Sequence, residues 1–177
     1  MKKTSLQNLV LAAMLAACGV VLPIAFHAVP NAGSVLLPMH IPVLLCGLVC
    51  GWPYGLACGL LAPLLSSLFT GMPPMAYVPS MMCELAVYGL VSGLLSAFVH
   101  TGRPLLDRYL QLIGAMLAGR AVYGALSALI FSAGSYSMSA FIAAAFVTAF
   151  PGIVIQLLFL PSLALQVEKI RKNPVHA

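Results

Sequence analysis

Two ionisable side chains stand inside long apolar runs of this chain, Glu84 in SMMCELAVYGL and Arg120 in MLAGRAVYGAL. A charge at membrane depth is costly and normally faces a polar cavity or an opposite charge. Tyr77, Met81, Glu84 and Tyr88 follow one another at intervals of four, three and four, which is one face of a helix. Arg120 and Tyr123 share a face by the same rule. Opposed, the two faces would line a cavity with a carboxylate, a guanidinium and phenols, suited to holding a polar organic molecule. A guanidinium takes a carboxylate through two parallel hydrogen bonds. The competing reading is structural: Glu84 and Arg120 pair and tie their two helices together, and both readings can hold at once. His40 adds a ring near a predicted helix start, where free amide protons attract anions, although a lone histidine is more often a packing or capping residue.

The patterns of catalysis are missing. Every lysine lies near a terminus and none sits in the glycine-lysine-serine/threonine setting of a phosphate-binding loop. No HExxH, no GxSxG and no pair of catalytic carboxylates occurs. The chain is read as a non-enzyme with no cofactor and no metal site. Three acidic residues in all argue against a proton-relay pump. Cys18, Cys46, Cys50, Cys58 and Cys83 all fall in apolar segments without a CxxC, and are read as small packing residues.

The elements that would position these residues are membrane helices. Of 177 residues 62% are hydrophobic and 6% charged, against roughly 25% charged in soluble domains. Mean hydropathy is +1.08, so the expectation is one compact all-α membrane domain over residues 1–177. Lys2-Lys3, an apolar run and Leu15-Ala16-Ala17-Cys18 imitate a lipoprotein signal, but the sequence stays apolar through Phe26 and reads as a first helix. Helices are predicted over about 6–26, 35–51, 54–69, 79–99, 109–131 and 140–166. Pro38 falls in the first turn of the second, Pro42 is expected to bend it, and Pro151 to kink the last. Six crossings put both termini and the 2–3 and 4–5 connections on one side. Lys2, Lys3, Arg103, Arg108, Lys169, Arg171 and Lys172 all fall there, while the opposite loops hold no Lys or Arg. By the positive-inside rule that side is the cytoplasm, and His27–Ser34, Thr70–Val78 and Ser132–Ser139 lie outside. The net charge of +5 is thus topology, not a nucleic-acid surface.

The segment 31–74 is the most informative. Gly47, Gly51, Gly55 and Gly59 recur every fourth residue around Trp52-Pro53, predicting two helices folded into a hairpin with glycine-lined walls. Its polar ends, Asn31 to Ser34 and Gly71 to Pro74, then share one side, where the binding site is expected. A short echo links Tyr54-Gly55-Leu56-Ala57-Cys58-Gly59-Leu60-Leu61 to Tyr88-Gly89-Leu90-Val91-Ser92-Gly93-Leu94-Leu95, a weak match in so apolar a chain. On the first helix Ala12/Ala16 and Ala13/Ala17 form two overlapping AxxxA pairs, suited to docking another membrane helix or to packing within this chain.

These residues together resemble the substrate-binding S component of energy-coupling factor (ECF) vitamin transporters of bacteria. The features carrying the resemblance are small size, six spans, basic cytoplasmic ends and AxxxA on helix one. Pro30-Asn31-Ala32-Gly33-Ser34, Pro38-Met39-His40-Ile41-Pro42 and Thr70-Gly71-Met72-Pro73-Pro74 look like the branch that includes the pantothenate proteins. The resemblance implies a multi-pass plasma-membrane subunit that binds a vitamin or precursor from outside. It would dock on a transmembrane T subunit driven by two ATPases, an ABC-type arrangement. Asn31 and Ser34 match the capping loop, and Ala12, Ala13, Ala16 and Ala17 the docking motif. Tyr77, Glu84, Tyr88, Arg120, Tyr123 and His40 are candidates from charge and spacing. The Met-His start of the nickel and cobalt members is missing, which argues against a metal cargo. Pantothenate is the favoured cargo; pyridoxine, hydroxymethylpyrimidine and folate are alternatives, as is a small structural or assembly protein with no cargo.

Overall fold

A computed structural model describes residues 3–25, 35–126 and 142–172. The described elements are helical throughout. They are α1 (Lys3–Ala25), α2 (His40–Cys50), α3 (Trp52–Thr70), α4 (Val78–Phe98), α5 (Pro104–Leu126) and α6 (Phe150–Lys172). A 3-10 turn at Met75–Tyr77 leads into α4, and a π-helical stretch at Ala143–Thr148 precedes α6. Segments within α1, α3, α4 and α6 are long and apolar enough to cross a membrane: Ser5–Ala25, Trp52–Thr70, Met75–Phe98 (which takes in the 3-10 turn) and Phe150–Arg171. Helix α5 has 23 residues but carries Asp107, Arg108 and Arg120.

The second helix departs from expectation. Its predicted start at Val35 gives way to His40, because the chain turns at Leu37–Met39 with Leu37 at φ 51°. The 11 residues of α2 rise only about 16 Å, well short of a bilayer core of about 30 Å. Irregular backbone at membrane depth is tolerated where it lines a cavity, which is the case here. Pro42 consequently falls in the first turn of α2, where its missing amide proton costs nothing, and no bend is required. Pro151 likewise falls in the first turn of α6. The change of winding comes just before it, in the π-helical stretch, not as a proline kink. The charged residues Glu168, Lys169, Arg171 and Lys172 continue α6 rather than forming a tail.

Gly51, at φ 93°, makes the break between α2 and α3, a conformation open to glycine, and its amide still donates to Gly47 O at 3.0 Å. The other glycines of the row do more than line the hairpin. Helix α4 runs antiparallel to α3, so that Gly55 meets Gly89, Gly59 meets Leu85, and Gly93 meets Trp52. A Cβ on Gly89 would stand 2.9 Å from the Gly55 Cα, and one on Gly59 2.6 Å from the Ala86 amide nitrogen. The two halves of the sequence echo are therefore the two sides of one close helix contact, in which absent side chains allow backbone-to-backbone approach. Leu44, Cys46, Leu85, Tyr88, Leu112 and Leu160 fill the core around it.

Polar side chains fasten one end of the bundle. Asn8 donates to Cys50 O at 3.3 Å, Arg171 donates to Val49 O at 2.6 Å and also to Asn8, and Ser96 donates to Leu48 O at 3.0 Å. Arg108 reaches Ser96 at 3.1 Å, Gln111 at 2.7 Å, and pairs with Glu168. Both ends of the described chain, the α2–α3 break and the α4–α5 loop thus meet at this one end. In that loop the Thr101 amide and hydroxyl donate to Asp107 at 2.7 and 2.6 Å and hold its carboxyl below the usual carboxylate range.

Candidate functional site

At the opposite end lies a cavity of about 370 Å³. Its walls come from α1 (Pro23), the turn before α2 (Leu37, Pro38, Met39), His40, the α3–α4 connection (Met72, Pro73, Tyr77), α4 (Ser80, Met81, Glu84), α5 (Arg120, Tyr123) and Ala149. The α3–α4 connection is held by hydroxyls. Ser66 donates to Met72 O at 2.7 Å, Ser67 to Pro73 O at 2.8 Å, and Thr70 to Ser66 O at 2.7 Å. Gly71, at φ 72°, closes α3 and turns the chain toward α4. On the other wall the backbone at Val35 and Leu36 presses on α6: a Cβ on Gly152 would lie 2.6 Å from Val35 O. Leu37 O accepts from the His40 amide at 3.0 Å and from Gln156 Nε2 at 3.4 Å. The left-handed Leu37 is therefore over-determined by its surroundings, as strained backbone at a functional site is expected to be.

Four polar groups converge at the floor. Arg120 Nη1 lies 3.0 Å from Glu84 Oε1. Tyr88 OH donates to the same oxygen at 3.2 Å. His40 Nε2 is 3.8 Å from it, too far for a hydrogen bond, and the His40 ring meets the Tyr88 ring edge to face at 5.1 Å. All four residues are buried, Arg120 at 8% exposure and His40 at 4%. Among the described residues, Arg120 Nη2 and both ring nitrogens of His40 nevertheless lack a hydrogen-bond partner. Buried polar atoms of this kind are rare, because each forfeits its hydration, and a ligand is one remedy.

Of the residues selected from sequence, His40, Tyr77, Glu84, Arg120 and Tyr123 line this one cavity. Tyr88 does not; it lies beneath, against a smaller apolar void of about 150 Å³ that shares Leu37 and Arg120. Asn31 and Ser34 fall outside the described residues, as does the outer loop around Ser135. The Glu84–Arg120 pair and the cavity coexist, so the geometry excludes neither reading of these charges. The four alanines of α1 divide: Ala12 is buried in the core and Ala16 packs against it, whereas Ala13 and Ala17 are exposed on the outer face. Sequence reasoning passed over Met39, Ser80 and the positioning hydroxyls Ser66 and Ser67. The adjacent serines in an otherwise apolar helix were the available signal for the last two.

A helical bundle with four apolar segments long enough to span a membrane, enclosing a largely apolar cavity with polar groups at its floor, has the architecture of a multi-pass membrane protein. The chain belongs to the ECF transporter, substrate-specific component family, whose model matches residues 7–164. It is thus the substrate-binding subunit of a plasma-membrane transporter and not an enzyme. Its partners are a substrate and the T/ATPase module of such a transporter. No curated protein and no solved structure gives a significant match to the chain. Family membership sets aside the reading as a structural protein without cargo.

Proposed function

We propose that the cavity at Arg120 is the cargo site and that the cargo is a small carboxylate of the pantothenate kind. The observation that carries this is the half-used guanidinium: Nη1 holds Glu84, while Nη2 is buried and has no partner among the described residues. A cargo carboxylate accepting from Nη2 would complete the group, with His40 within the same wall. A volume near the lower end of the roughly 300–1,000 Å³ usual for small-molecule sites favours a compact molecule and disfavours folate. Tyr77 offers a hydroxyl for the remaining polar atoms of such a cargo, and the Ser80 hydroxyl, which donates to Tyr77 O at 2.9 Å, can still accept. A neutral cargo such as pyridoxine or hydroxymethylpyrimidine is the second reading, favoured by the neutralisation of Arg120 by Glu84.

The subunit would receive cargo at the end remote from the termini, the outer side by the positive-inside rule. It would then dock on the T subunit, served by two ATPases, through the exposed Ala13/Ala17 face of α1. Asn31 and Ser34 would close over the cargo. The test is purification in detergent, mass spectrometry of any small molecule that accompanies the protein, and calorimetry with pantothenate, pyridoxine, hydroxymethylpyrimidine and folate. Tight binding of pantothenate supports the reading; binding of a neutral compound alone replaces it with the second.

A further inference from the structure

The cavity floor has a charge problem if its cargo is an anion. Arg120 and Glu84 already cancel at 3.0 Å. A carboxylate entering a buried, largely apolar site would leave one net negative charge there, which low-dielectric surroundings penalise heavily. Among the described residues a single neighbour has idle capacity to offset it. His40 is 4% exposed, lines the cavity, and both its ring nitrogens lack a partner. Its Nε2 stands 3.8 Å from Glu84 Oε1, a separation at which a protonated ring becomes an ion-pair partner.

The groups facing His40 are few. Helix α4 contributes Glu84 and Tyr88, the turn before it Tyr77, and α5 Arg120 and Tyr123. Among the described residues, α1, α3 and α6 bring no acidic, basic or tyrosine side chain to the cavity wall. A phenol is a weak acid and a guanidinium keeps its charge in proteins, so the groups whose proton could exchange are His40 and Glu84. Glu84 Oε1 already accepts from Tyr88 OH at 3.2 Å and lies 3.0 Å from Arg120 Nη1.

We propose that His40 makes cargo binding proton-linked: an acid cargo enters together with one proton, which His40 takes from the aqueous buffer on the ring nitrogen nearer Glu84. A new N–H bond forms on the imidazole, the cargo stays a carboxylate, and the site moves from neutral to neutral instead of from neutral to negative. His40 thereby also sets specificity, since a neutral cargo brings no charge to be compensated and draws no proton. The inference rests on the anionic-cargo reading above.

The experiment is titration calorimetry of the purified subunit with pantothenate, in buffers of different ionisation enthalpy, between pH 6.5 and 8.5. The slope of apparent heat against buffer enthalpy counts protons. Where the ring is neutral in the free subunit and protonated in the complex, close to one proton per cargo is expected. Affinity is greatest at low pH and falls by about tenfold per pH unit as the free ring empties, until pH passes the proton affinity of the ring in the complex. His40→Gln keeps a polar side chain without a titrating one; it should still bind, with a proton count near zero and a flat pH profile. Tight binding with no proton uptake by the wild type overturns the inference and leaves the anionic-cargo reading standing. A full proton count retained in His40→Gln also overturns it, moving the proton to Glu84. If pyridoxine or hydroxymethylpyrimidine binds and neither pantothenate nor folate does, both the cargo reading and the proton linkage fall.

Discussion

Glu84 and Arg120 were legible in the sequence because a charge in an apolar run has so few physical explanations. Their partners were not. Nothing in Leu37 announces a left-handed residue, since that conformation is normally left to Gly, Asn or Asp; it follows from the packing of residues 35 and 36 on Gly152 and from Gln156. At this scale Arg120→Ala is expected to abolish binding of an acid cargo. Arg120→Lys should weaken it about 10- to 100-fold, because the ammonium cannot hold Glu84 and the cargo in one planar fork, and a charged hydrogen bond contributes about 1.5–3 kcal/mol. Calorimetry on both variants measures this, and tight acid binding by Arg120→Ala would remove the guanidinium from the account. Glu84→Ala leaves the guanidinium buried without its carboxylate. It should cost about 3–5 kcal/mol of stability, read as a lowered midpoint of thermal unfolding in detergent, whereas Glu84→Gln keeps a hydrogen-bond acceptor and should cost less.

The helices themselves were readable from apolar runs and from their Gly and Pro punctuation, which is why α1, α3 and α4 lie within a few residues of expectation. The start of α2 and the winding before α6 were not readable, because tertiary contacts at the cavity, not local propensity, decide them. The glycine row was legible as a close contact, but its partner was not. Spacing shows that a helix has a bare face and does not say which neighbour occupies it; here the occupant is α4, through Gly89 and Gly93. Gly55→Val should therefore destabilise by about 1–3 kcal/mol, since the added Cβ would meet the Gly89 carbonyl of α4, its carbon at 2.8 Å, and Gly47 Cα of α2 at 2.7 Å, all backbone with no side chain able to move aside. A thermal midpoint equal to wild type would contradict the α3–α4 contact. The alanines of α1 give a paired prediction. Ala13→Leu with Ala17→Leu alters an exposed face and should block uptake while leaving cargo affinity within about twofold, a change under about 0.5 kcal/mol. Ala12→Leu adds volume within the core and should lower stability. Normal uptake by the Ala13/Ala17 pair would move the docking surface elsewhere.

For the whole molecule, charge asymmetry and the geometry agree. The polar network of Asn8, Ser96, Arg108, Glu168 and Arg171 gathers at one end, and the cavity opens at the other. A single cysteine at Met72 in a cysteine-free background should react with an impermeant thiol reagent added outside cells, while one at Gly102 should not; the reverse pattern would invert the orientation. The central claim, that cargo sits between α2, α4 and α5, is tested most directly by cargo protection of a cysteine placed in the cavity. Met81→Cys lines it, whereas Phe69→Cys, 77% exposed on α3 outside the cavity wall, serves as the control. In the purified cysteine-free subunit, saturating pantothenate should slow labelling of Met81→Cys at least about tenfold, as expected when the labelled form is the cargo-free fraction, and leave Phe69→Cys unchanged. Equal labelling rates at Met81→Cys with and without cargo, in a variant that calorimetry shows still binds it, would place the cargo elsewhere and contradict the account.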